Sequence, residues 1–138
     1  MHQATGAPVK FAKADLTGEG KPQCRFITPL PSHGWSEPVI SEWELRGESW
    51  IDLHPHSEYA YVVDGHLFVE SGGVTVEAHA GDVICVPGGT AGRYWAPVYA
   101  RIIGIYGPSR GEPSQRLGYQ RLPPRDNDGR QVFGSTSP

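Results

Sequence analysis

Glycine and proline cut this sequence into short pieces. The two types supply 18 and 13 of its 138 residues, 31 in all or about 22%. No stretch of ten or more residues carries apolar side chains at i, i+3, i+4 and i+7, the stripe an amphipathic helix needs. β-rich runs recur instead, bounded by Gly, Pro, Asp and Ser. They cover Cys24–Leu30, Pro38–Leu45, Ser49–His54, Tyr59–Val63, His66–Glu70, Val74–Ala78, Val83–Val86, Gly92–Trp95 and Tyr99–Tyr106. Their spacing of roughly 8–12 residues is the rhythm of an all-β sandwich or barrel. Asp64-Gly65 and Gly72-Gly73 read as two-residue hairpin turns, because Gly takes positive φ without steric cost and Asp tolerates it. The runs 59–63, 66–70 and 74–78 are then expected to form an antiparallel meander.

Length sets a single domain, since a chain of this size buries roughly 68% of its unfolded surface. Residues 1–21 are small and polar apart from Val9-Lys10-Phe11, and read as an N-terminal arm or edge strand. Residues 22–107 read as the barrel. Residues 108–138 hold too few apolar side chains for a core and read as a polar tail that drapes over the barrel or a partner subunit, or stays disordered. The tail carries five Arg and three acids, +2, within a chain whose 12 Lys+Arg and 15 Asp+Glu sum to −3. That balance gives no footprint for nucleic acid or an anionic membrane. No apolar run approaches the roughly 18 residues of a membrane span, and no signal peptide opens the chain. A cytoplasmic location is expected. Cys24 and Cys85 lack metal-ligand spacing and sit in apolar runs, so they are expected as reduced, buried thiols.

The chemistry concentrates in Asp52-Leu-His54-Pro-His56-Ser-Glu58. Alternate residues of a strand share a face. Asp52, His54, His56 and Glu58 therefore point one way while the strand continues, but residues six apart on a straight strand are roughly 20 Å apart and could not share one ion. Two His and a carboxylate suit Zn, Fe, Mn or Ni. Trp50 shares the parity of Asp52, and Tyr94 that of Gly92.

Six residues separate Glu58 from Gly65, and Gly81 is followed by five residues, Pro87, one residue and Gly89. These two segments resemble the paired motifs of the cupin superfamily. The resemblance implies a cupin-type double-stranded β-helix, or jelly-roll barrel. Val9-Lys10-Phe11, Cys24, Trp43-Glu44, Gly81-Asp82-Val83-Ile84, Tyr99-Ala100-Arg101-Ile102 and Gly107-Pro108 make the chain similar to the cupin domain of the ethanolamine-utilisation Q protein family. Where the second cupin motif has its His, this chain has Gly92, a loss common in that family.

Two registers stay open for the first motif. Either His54 and His56 are the paired His with Glu58 early, or His54 is the second His and Asp52 stands in the place of the first. The expected metal ligands are His54, His56 and Glu58, with Asp52 as a further candidate. Glu58 and Tyr94 are the expected proton carriers, and Trp50 and Tyr94 the expected substrate walls. The function expected is an enzyme acting on a small organic substrate through a divalent ion. The alternatives are a metal-free ligand-binding module or a Q-like protein with an acetate-kinase-type or accessory role. Neutral imidazole is required for metal binding, so occupancy is expected to fall as pH drops through roughly 6.5. Tyr59, Tyr61 and Val63 are expected to face outward and to be covered by a second copy in a homodimer.

Overall fold

The structure, a computed structural model, describes residues 6–16 and 23–123. Among these there is no helix. Nine strands follow in chain order: β1 (Gln23–Phe26), β2 (Val39–Leu45), β3 (Glu48–Leu53), β4 (Glu58–Ser71), β5 (Val74–His79), β6 (Val83–Val86), β7 (Ala91–Ala96), β8 (Ala100–Tyr106) and β9 (Gln115–Arg121). They pair in the order β1-β2-β8-β4-β7-β3-β9, with β5 and β6 also on β4, and every pairing is antiparallel.

β4 is where the two expected strands at 59–63 and 66–70 turn out to be one. Its first half pairs with β6 and β8, and its second half with β5 and β7. Asp64-Gly65 is therefore not a hairpin turn. The register against β8 shifts between Val62 and Asp64, and Gly65 has φ of 82°. The pair forms a β-bulge that bends the strand from one sheet into the other. A Cβ at Gly65 would lie 2.2 Å from the Tyr99 carbonyl oxygen, so the bend passes too close to β8 for any side chain. Gly72 and Gly73, with φ of 58° and 77°, do make the expected β4–β5 hairpin.

The interior is filled by alternate residues of these strands. Leu45, Val62, Leu67, Ala96, Ala100 and Ile102 are fully buried, packed with Val69, Ala78 and the Tyr94 ring. The outer face at one edge buries charge instead. Arg101 bonds both Glu42 and Glu44, and Arg25 and Arg46 pair with the same two carboxylates. The N-terminal segment covers this network: the Ala14 N–H donates to Glu42 Oε1 at 3.1 Å. Val9 and Phe11 stay exposed and outside any strand of their own chain. Tyr59, Tyr61 and Val63 stand on the outer face at 43%, 40% and 40% exposure.

Two further expectations change. Both cysteines are free, but both are exposed: Cys24 opens on the cavity described below, and Cys85 lies opposite Tyr59 on the outer face. Residues 115–121, placed in the tail, form β9 and drape along β3 of their own chain. Residues 124–138 lie outside the described residues. No helix among the described residues is long and apolar enough to cross a membrane.

Gly65→Ala forces a Cβ into backbone at a positive φ. It is expected to cost about 3 kcal/mol of stability in urea denaturation. A loss below about 1 kcal/mol would contradict the tight bend in β4.

Candidate metal centre

β3 ends at Leu53 and β4 begins at Glu58, so residues 54–57 are a turn. The second motif holds that turn in place. Gly89 N–H donates to the His54 carbonyl at 2.7 Å. A Cβ on Gly88 would sit 2.7 Å from the Pro55 carbonyl. Pro87-Gly88-Gly89 thus packs backbone to backbone against the 54–56 turn, which explains why that stretch must be small. The bend at Pro55 returns Glu58 to the residues it left.

The result gathers Asp52, His54 and Glu58 around one point. His54 Nε2 lies 3.1 Å from Asp52 Oδ2 and 3.2 Å from Glu58 Oε2, and the three ligand atoms lie within 4.8 Å of one another. Each is held from behind. Trp50 Nε1 donates to Asp52 Oδ2 at 2.9 Å, the Tyr94 hydroxyl donates to Glu58 Oε2 at 3.1 Å, and Ser114 Oγ is 2.6 Å from His54 Nδ1. His54 Nε2 is buried and near both carboxylates, yet makes a well-formed hydrogen bond to neither. An orphaned imidazole nitrogen facing two buried carboxylate oxygens is a donor set that fits a divalent cation.

His56 does not join this group. Its ring stacks on that of His54, with centroids 4.8 Å apart and planes 24° apart. It meets Trp35 and Tyr106 edge-on. His56 still lines the same cavity, and its Nδ1 is buried without a hydrogen-bond partner among the described residues, but the group closest together is Asp52, His54 and Glu58, the register in which Asp52 stands in the place of the first His. Gly92, directly opposite Asp52 in the β3–β7 ladder, leaves room that Tyr94 uses. A Cβ at Gly92 would lie 3.0 Å from the Tyr94 ring and 3.2 Å from its hydroxyl. The missing side chain of the second motif and the Tyr94–Glu58 hydrogen bond are therefore one feature.

These residues floor a cavity of about 670 Å³. Trp43, Trp50, Tyr94 and Tyr106 wall it, and Trp35 and residues 111–116, the loop into β9 and its first two residues, complete the lining. Trp43 is buried core and cavity wall together, edge-on to Tyr94 at 5.3 Å. Among the described residues, Arg116 is the only Lys or Arg lining the cavity. Trp35, Tyr106, Ser114 and Arg116 were not anticipated. A lone Trp between Gly34 and Ser36 was the one sequence signal for this part of the lining.

Charge is strongly coupled here. Burial alone lowers the His54 imidazole, but the Asp52 and Glu58 carboxylates outweigh it and raise its pKa to about 10. His56 is lowered to about 4 by burial and then by the charge on His54. Burial raises the Glu58 carboxyl, and neither His54 nor the Tyr94 hydroxyl offsets it. Burial likewise raises the hydroxyls of Tyr94 and Tyr106.

Residues 40–102 match the family model of the cupin domain. Over this segment the chain has the cupin fold. The chain is similar to the solved EutQ protein of Clostridium difficile, at 25% identity over 63% of this chain and 68% of that one, with a TM-score of 0.55. A cupin-like protein from Thermotoga maritima aligns over 72% of this chain and 78% of its own, at 19% identity and a TM-score of 0.62. KdgF from Halomonas sp. aligns over 67% and 83%, at 22% identity and a TM-score of 0.54. The last two likenesses concern fold alone. Among curated proteins no relative matches the sequence.

The two His titrate in opposite senses, which sets the pH behaviour of the metal-free protein. His56 is neutral when folded, so its contribution is complete above pH 6.5 and is lost as pH falls toward about 4. The paired His54 contributes fully below pH 6.5, and its contribution is lost as pH rises through about 10. In chelator-treated protein, His56→Gln is expected to flatten the fall in Tm between pH 6.5 and 4. An unchanged slope would place the acid sensitivity elsewhere.

Proposed function

We propose that this protein binds a divalent metal ion through Asp52, His54 and Glu58 and uses it on a small organic substrate held in the cavity. The observation that carries the reading is the orphaned His54 Nε2 aimed between two buried carboxylates. Such an ion acts as a Lewis acid toward a substrate oxygen and relieves the repulsion of the paired carboxylates. The chain's own residues supply the rest. Trp50 fixes the orientation of Asp52, and Ser114 that of His54. The indoles and Tyr106 exclude water from the cavity floor and present flat apolar walls. Arg116, opposite Asp52 on β9, meets an anionic group on the substrate. Tyr94 and Glu58 share one hydrogen bond and are the groups placed to move a proton.

The same residues support a second reading, a ligand-binding module related to the EutQ protein, in which a protonated His54 replaces the ion as counter-charge to Asp52 and Glu58. Metal analysis separates the two. His54→Ala and Asp52→Asn are each expected to lose one metal equivalent relative to wild type, while His56→Ala keeps it. Wild-type and His54→Ala proteins with equal metal content would leave the metal-free reading. In the first reading the ion displaces the His54 proton. Affinity is then expected to rise about tenfold per pH unit from pH 7 to 9, a window set by the raised pKa of His54 and not by the ordinary 6.5. An affinity independent of pH over that range would contradict it.

We also propose that a second copy of this chain covers the outer face at Tyr59, Tyr61, Val63 and Val83, the last 59% exposed. These apolar side chains offer no charge for a charged partner to read, whereas self-association needs none. Light scattering is expected to give about 30 kDa, twice the 15.0 kDa of one chain. A mass of one chain at micromolar concentration, or of two chains unaltered by Tyr61→Lys, would exclude this interface.

A further inference from the structure

A second set of metal-ligating side chains lies on the β4–β5 hairpin and shares no residue with the cavity. His66 and His79 stand directly opposite each other in the β4–β5 ladder. Glu77, two residues before His79 on the same strand, projects from the same face. His66 Nε2 lies 2.6 Å from Glu77 Oε1, and His79 Nε2 lies 3.6 Å from that same oxygen. The three ligand atoms fall within 4.8 Å of one another. The imidazoles are stacked, with centroids 4.4 Å apart and planes 13° apart.

An ordinary surface ion pair accounts for one imidazole on Glu77 and not for two. Here both Nε2 atoms lie within 3.6 Å of a single carboxylate oxygen, that of His66 hydrogen-bonded to it. The frame beneath them is fixed. His66 packs on Phe68, which stacks on Trp95 at 5.4 Å. The His79 N–H donates to Asp82 Oδ2 at 2.8 Å, and the Asp82 N–H to the His79 carbonyl at 2.9 Å. In tetrahedral zinc with bonds near 2.0–2.1 Å, neighbouring ligand atoms are about 3.3 Å apart. The observed 2.6 and 3.6 Å straddle that separation. Side chains 39–64% exposed can close the difference by rotating the imidazoles out of their stack until both Nε2 lone pairs meet one ion.

We propose that His66, His79 and Glu77 form a surface zinc site. Two neutral imidazoles and a carboxylate are a zinc-type donor set, and the exposed fourth position is open to water or to a side chain of another molecule. The site is independent of the cavity reading, and the test is built to keep the two apart. Untagged full-length protein carrying His54→Ala, which disables the cavity group, is dialysed against zinc chloride at pH 7.5. It is expected to take up one zinc equivalent. Adding His66→Gln and His79→Gln is expected to abolish that uptake, while adding Glu77→Gln weakens it at least about tenfold, the lower bound for losing even an outer-sphere partner. All three positions are exposed or half-buried, and circular dichroism checks that each variant stays folded. Zinc uptake by the His54→Ala protein that survives removal of both His66 and His79 overturns the proposal, as does the absence of any uptake before they are removed.

Discussion

Fourteen consecutive residues of β4 belong to both halves of the barrel, and the rest of the structure depends on the bulge that lets them. Before the bulge, β4 places Glu58 at the cavity floor between β6 and β8. After it, the strand carries Val69 opposite Tyr94. One bend with no Cβ at Gly65 therefore fixes the relation between the carboxylate and the hydroxyl that meets it. Gly92 completes the arrangement by giving the Tyr94 ring room to reach Glu58.

The cost of that geometry is electrostatic. Glu58 and Asp52 are 3% and 9% exposed, and two adjacent buried carboxylates require a counter-charge. The protein can meet the requirement with a proton on His54 or on Glu58, whose pKa burial raises, or with a cation. This competition links the stability, the metal affinity and the pH response of the site, because each reports which positive charge occupies the gap. Arg101 solves the same problem on the outer face, where permanent guanidinium groups face Glu42 and Glu44 and leave no such choice.

Much of the fold was legible in the sequence because the strands are short, apolar and bounded by Gly or Pro. Asp64-Gly65 misled for a physical reason: positive φ serves a bulge as well as a hairpin, and local sequence does not distinguish them. β9 was missed because Gln-Arg-Leu-Gly-Tyr-Gln-Arg lacks apolar alternation and is held largely by its ladder to β3, with the Tyr119 hydroxyl on Glu48. At the site, parity correctly grouped Trp50, Asp52 and His54 on the inner face. His56 lines the same cavity, but beyond Pro55 its ring stacks on His54 and stands outside the Asp52–His54–Glu58 group. The choice between Asp52 and His56 depended on backbone packing from Gly88 and Gly89, residues more than thirty positions away.

The central claim is that Asp52, His54 and Glu58 hold one divalent ion. Anomalous diffraction from crystals grown with manganese tests it most directly. The account predicts a peak at the cavity floor, about 2.0–2.3 Å from Asp52 Oδ2, His54 Nε2 and Glu58 Oε2, with the His56 ring still stacked on His54. No peak in the cavity, or a peak ligated by His56 in place of Asp52, would contradict it.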